Sequence, residues 1–100
     1  MRRLLSVTDA PATDVFTSGR AWRLHPQVAL RDESFGALAY HYGTRRLVFL
    51  KSRTLVDLVT GLHEYPSADD ALDALVPEAQ RPVYRQALSR LARSEVIDAL

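Results

Sequence analysis

The side chains most able to do chemistry in this chain are its three histidines and its carboxylates, so they come first. His25, His41 and His63 fall in three separate stretches. They form no i, i+4 pair and no HExxH motif, so structural or surface roles are expected rather than metal ligation. Cysteine is absent from the 100 residues. That excludes disulfides, thiolate nucleophiles and cysteine-held zinc or iron–sulfur clusters. Asp69, Asp70 and Asp73 sit at the start of a short predicted helix, where the helix dipole favours negative charge, so they read as a solvated face rather than an acid–base pair. The four glycines are dispersed, which leaves no phosphate-cradling loop. No serine stands in a nucleophile elbow. This inventory predicts no enzyme activity, no metal and no cofactor.

What remains is recognition by surface. Arg45, Arg46, Lys51 and Arg53 cluster on one predicted strand and its ends, and Arg81, Arg85, Arg90 and Arg93 on one predicted helix. Net charge is only +1, which predicts neither nucleic acid nor a membrane as a partner. No apolar run approaches the ~20 residues that span a bilayer. Met1-Arg2-Arg3-Leu4-Leu5 starts like a signal peptide, but Thr8-Asp9 ends the run. A cytoplasmic location is expected.

The elements that position these charges centre on Gly36 to Leu62. Ala37–Tyr42 and Arg46–Lys51 read as two strands. Gly43-Thr44 suits a two-residue hairpin loop, because glycine tolerates positive φ. That loop sets Tyr42 opposite Arg45, Tyr40 opposite Leu47 and Leu38 opposite Phe49. Those side chains share one face, while Ala39, Val48 and Leu50 share the other. Leu55, Leu58, Val59 and Leu62 then follow at helical spacing, with Ser52 or Thr54 as the cap.

Upstream, residues 1–20 read as a flexible segment, with docking of Val15-Phe16 as the alternative, and residues 21–100 as one domain. Trp22, Leu24, Val28 and Leu30 suit a strand that is at an edge or broken at Pro26. Asp32-Glu33-Ser34 is the expected turn into the hairpin. Downstream, Ser67 is set to cap a second helix that buries Ala68, Ala71, Leu72 and Leu75. A third helix lies between Pro77 and Ser94, and Val96-Ile97 is expected to pack back on the sheet. The apolar stripe of that third helix covers about half its circumference, wider than the ~100° that packing on a core requires. Val83, Ala87 and Leu91 form one side of it. Tyr84, Leu88 and Ala92, flanked by Arg81 and Arg85, form the other. If one side meets the core, the other can line a groove.

The order of strands and helices, with the wording Phe35-Gly36-Ala37-Leu38 and Tyr42-Gly43-Thr44-Arg45-Arg46-Leu47, resembles the PqqD-like peptide-recognition modules, the RiPP recognition elements. Among them it is most like the chaperones of mycofactocin biosynthesis. The resemblance runs from about Trp22 to Ile97. One departure is Glu95, where a helix-ending glycine is expected. The resemblance implies an α+β, winged-helix-like fold in which a three-stranded antiparallel sheet is followed by three helices. It also implies a non-catalytic module that captures the leader of a ribosomally made precursor as an added strand. The module then presents that precursor to a radical S-adenosylmethionine maturase acting on a C-terminal Val-Tyr. Combined with the basic rim, this places the peptide site at Arg46, Leu47, Val48, Phe49, Leu50, Lys51, Arg81, Tyr84, Arg85 and Leu88. Two other readings stay open. One is a DNA-binding winged helix with Gly43–Arg46 as its wing tip. The other is a homodimer paired through the same exposed edge.

Overall fold

The computed structural model describes residues 15–100. The fold is α+β. Its larger sheet has three antiparallel strands, β2 (Val28–Glu33), β3 (Gly36–His41) and β4 (Leu47–Leu50), in the order β2-β3-β4. A smaller sheet pairs β1 (Trp22–Leu24) with β5 (Ile97–Ala99). The described residues also form three α-helices: α1 (Arg53–Gly61), α2 (Ala68–Leu75) and α3 (Arg81–Arg93).

The stretch around Pro26 separates two strands that serve different sheets. His25 donates its N–H to Val96, and Val28 donates to His25 across a tight turn. Trp22–Leu24 is thereby left to pair with the end of the chain. Val96 and Ile97 pack back as expected, but on β1 rather than on the larger sheet. The β2–β3 turn is also tighter than expected. Asp32 and Glu33 remain in β2, Glu33 pairs with Gly36, and only Ser34 and Phe35 turn. Gly36 has φ +148°, and a Cβ there would overlap the carbonyl oxygen of Leu50. Close approach of β4 therefore requires glycine at this position.

The register of β3 with β4 follows the pleat alternation. Leu38 faces Phe49 and Tyr40 faces Leu47. Ala37, Ala39 and Leu50 turn inward and are buried. The loop between these strands differs from the two-residue form. His41 accepts the Arg45 N–H, and Arg46 accepts the His41 N–H, so Tyr42–Arg45 form a four-residue loop. The left-handed residue is Arg45, at φ 65°, not Gly43. Gly43 answers another constraint: a Cβ there would come within 2.6 Å of Gln27 Oε1 and 2.9 Å of His41 Cε1.

Caps fix the helices in place. The Ser52 side chain accepts the Leu55 N–H at the start of α1, and Ser67 accepts the Asp70 N–H at the start of α2. Each such cap is worth about 1 kcal/mol. The preceding segment adds to the α2 start, because Ser18 and Arg20 carbonyls accept the Asp69 and Ala68 N–H groups. Phe16 lies 5.1 Å from the Trp22 ring, and Thr17 accepts the indole N–H. Most of the N-terminal segment set apart by the sequence, residues 1–14, lies outside the described residues.

The C-terminal end of α3 is a Schellman motif. Val96 donates to the Leu91 carbonyl and Glu95 to Ala92, with Glu95 at φ 62°. A glutamate thus occupies the left-handed position that glycine usually fills. The core is built from Trp22, Leu50, Leu58, Val59, Leu62, Leu72, Leu88, Val96 and Ile97, all fully buried. Leu75, expected on the buried face of α2, stays 36% exposed because the helix ends there and Val76 takes the inward position instead.

Candidate functional site

Among the described residues, strand β4 has a partner on one side only. The alternation of antiparallel bonds shows which of its backbone groups are free. The N–H of His41 bonds to the Arg46 carbonyl, so that pair is of the hydrogen-bonded kind. Two steps along, Ala39 with Val48 and Ala37 with Leu50 are of the same kind. The N–H and C=O of Leu47 and Phe49 therefore point away from β3, toward the open edge. Unpaired edge groups of this sort are a template for another strand.

Beside that edge runs a groove of about 230 Å³. Val48, Phe49 and Leu55 line one wall, and Ala87, Arg90, Leu91 and Ser94 of α3 line the other. Val83 continues the α3 row one turn earlier and is 65% exposed. Arg90 forms no ion pair or hydrogen bond among the described residues. It thus places an uncommitted cation on an apolar groove. Arg45, Arg46 and Lys51 are exposed around β4 and are likewise free of acidic partners among the described residues.

The ten residues named from the sequence separate into three groups. Arg46, Leu47, Val48, Phe49 and Lys51 lie along the open edge, with Val48 half-buried in the groove and the side chains of Leu47 and Phe49 on the outer face of the sheet. Leu50, Tyr84 and Leu88 belong to the interior. Leu50 and Leu88 are fully buried, and the Tyr84 hydroxyl lies 2.9 Å from Ser52 Oγ, against the start of α1. Arg81 and Arg85 are committed elsewhere. The Arg81 guanidinium donates to the carbonyls of Leu72, Asp73 and Val76 and so closes the C-terminal end of α2. Arg85 pairs with Asp69 at 3.3 Å.

The groove therefore takes the Val83–Ala87–Leu91 side of α3, and the Tyr84–Leu88–Ala92 side takes the core. Arg81 and Arg85 lie beyond the core side, on the flank facing α2, which is why they do not rim the groove. Sequence reasoning missed Leu55, Ala87, Arg90, Leu91 and Ser94 as lining. The available signal was the position of Arg90, three residues after Ala87 and therefore on the same helix face.

A second cluster lies at the hairpin end of the sheet. Donor atoms of His25, His41 and Glu95 converge within 4.8 Å of one another, and the two imidazole rings are 4.4 Å apart. The scattered positions of these residues in the sequence gave no hint of this. Their hydrogen bonds define the chemistry. Nδ1 of His41 accepts the N–H groups of Gly43 and Thr44, and Nδ1 of His25 accepts that of Gln27. In a neutral ring the proton then sits on Nε2. The Nε2 of His41 is buried and has no partner within hydrogen-bond distance among the described residues. The cluster thus presents N–H donors to a carboxylate, not three lone pairs arranged for a cation.

Comparison with known proteins gives a consistent result. The model of the peptide chaperone MftB family matches residues 21–98. The chain is 46% identical to the peptide chaperone MftB of Mycobacterium ulcerans, over 97% of this chain and 94% of that one. Its identity to the peptide chaperone MftB of Mycobacterium tuberculosis is 49%, over 82% of this chain and 76% of the relative. For the protein of the same description from Mycolicibacterium smegmatis it is 50%, over 77% and 76%. No solved structure matches the chain.

Proposed function

This chain belongs to the peptide chaperone MftB family, and from that premise we propose that it holds the leader of a ribosomally made precursor as a fourth strand on β4. The family is non-catalytic, in keeping with the absence of nucleophile and cysteine signatures from the sequence. The observation that carries the proposal is the pairing of an open strand edge with an apolar groove. Leu47 and Phe49 offer backbone groups to any peptide, whatever its side chains. Selectivity then comes from the groove, where alternate leader residues meet Val48, Leu55, Ala87 and Leu91. Arg90 and Lys51 favour a leader with carboxylates among its apolar residues.

The bound precursor, in this reading, passes to a radical S-adenosylmethionine maturase. S-adenosylmethionine and iron–sulfur clusters belong to that enzyme, and the chaperone brings no cofactor of its own. The site of action is the cytoplasm. No described helix is long and apolar enough to cross a membrane.

Proline substitution tests the strand directly, because it removes one N–H donor. At Phe49 that donor points outward, so Phe49→Pro leaves the β3–β4 ladder its full set of bonds. The expected result is a folded protein whose leader affinity, measured by calorimetry with a synthetic leader, falls about tenfold or more, in line with the loss of a buried hydrogen bond and a good part of its neighbours. Wild-type affinity in a folded Phe49→Pro variant would overturn strand addition on β4.

A further inference from the structure

The two faces of the larger sheet are unlike. Its inner face is covered by the helices. Its outer face is uncovered among the described residues, yet it is apolar. Tyr42 is 61% exposed, Phe49 55%, Leu47 54% and Phe35 42%. These side chains are held in order. The Phe35 and Phe49 rings are 5.7 Å apart, and Tyr40 meets Tyr42 edge to face at 5.1 Å. A shallow depression of about 300 Å³ lies on the same sheet, lined by Ala29, Leu30, Arg31, Leu38, Tyr40 and Leu47. A monomer rarely leaves so many large apolar groups contiguous on one face without a use for them.

We propose that this outer face is where the modifying enzyme docks on the chaperone, a reading that rests on the peptide role above. The partner surface it fits is an apolar centre flanked by carboxylates. Charge complementarity points that way, because Arg45, Arg46 and Lys51 border the face and have no acidic partner among the described residues. A second copy of the chain fits less well. Among the described residues the outer-face acid it would bring is Glu33, already paired with Arg31 at 2.8 Å. A peptide strand fits less well too, since this face offers side chains and no free backbone.

The position of β4 gives the face a further property. A leader added to its edge extends the sheet, and alternate leader side chains then join Leu47 and Phe49 on the outer face. The enzyme therefore meets a larger surface on the loaded chaperone than on the empty one. Binding of leader and binding of enzyme are positively coupled, each raising the affinity of the other by the same factor.

The test uses the full-length chain, a synthetic leader, and a purified radical S-adenosylmethionine maturase of the proposed kind. Tyr42→Ser and Phe35→Ser remove outer-face rings outside β4. Each is expected to leave leader affinity within about twofold of wild type and to weaken enzyme binding about tenfold, as a central aromatic does at an interface. Enzyme affinity of the wild type is expected to rise when leader is present. Two folded variants that bind the enzyme as tightly as wild type overturn the proposal. So does a wild-type dimer that either variant dissociates, since the face then joins copies of the chain. Capture of a single-stranded oligonucleotide that both variants lose also overturns it. A wild-type chain that binds the enzyme but not the leader fails the peptide reading alone, while the variant comparison still decides the docking face.

Discussion

The two sides of α3 carry similar residues and meet different neighbours. Tyr84, Leu88 and Ala92 face the core, while on the other side Val83 is exposed and Ala87 and Leu91, themselves buried, line the groove beside β4. Composition does not separate them: each has one large, one small and one intermediate apolar side chain. Their surroundings do. Arg81 and Arg85, next to the core side, are bound to α2 by carbonyl bonds and an ion pair. Arg90, next to the groove side, is bound to nothing among the described residues. The lesson is that an arginine is a candidate for recognition only where its own fold leaves it uncommitted, and that a wide apolar stripe must be divided by what packs on it.

Substitutions on the two sides should separate stability from binding. Leu88→Ala is expected to have the largest effect, since a fully buried leucine truncated to alanine costs about 2–5 kcal/mol. Thermal unfolding would show this as a large fall in Tm, while the folded fraction retains leader affinity. A small fall in Tm with a large loss of binding would exchange the two sides. Arg81→Ala comes next. It leaves the carbonyls of Leu72, Asp73 and Val76 without their charged donor, for a loss of about 1.5–3 kcal/mol by urea unfolding. An unchanged urea midpoint would show that those carbonyls find other donors.

Arg90→Glu is the corresponding change on the groove side. Its stability should be unaltered, and leader binding should weaken about tenfold at low salt and less at high salt, because exposed charges are screened. Equal loss at all salt concentrations would assign Arg90 a packing role. Glu95→Gly is the mildest change. Glycine relieves a left-handed φ at a cost of about 1 kcal/mol to other residues, while the carboxylate facing His25 and His41 is lost. A net gain in Tm is expected if the backbone term dominates. A clear drop would show that the nearness of the carboxylate to the two imidazoles outweighs the backbone strain.

Legibility of the fold in the sequence followed the strength of the local pattern. The pairing of Leu38 with Phe49 and of Tyr40 with Leu47 was readable, because a pleat alternates with period two and its register turns every side chain in or out together. The caps at Ser52 and Ser67 were readable for a similar reason: each acts within three residues. The hairpin loop was not. Gly43 looked like the residue supplying positive φ, but the close approach of the buried His41 ring explains it better. The open edge of β4 was legible, and the α3 wall of the groove beside it was not. Spacing placed Arg81 and Arg85 beside a candidate groove, yet their partners, Leu72 to Val76 and Asp69, come from a different helix whose packing no spacing specifies. The convergence of His25, His41 and Glu95 was hidden for the same reason, since each arrives from a separate element.

Strand addition on β4 is the central claim, and amide exchange along the sheet tests it most directly. The Val48 and Leu50 N–H groups already lie in the β3–β4 ladder, whereas those of Leu47 and Phe49 point to the open edge. Adding leader should therefore slow exchange at Leu47 and Phe49 and change Val48 and Leu50 little. New protection confined to the opposite edge, Val28–Glu33, or none at Leu47 and Phe49 with leader saturating, would contradict it.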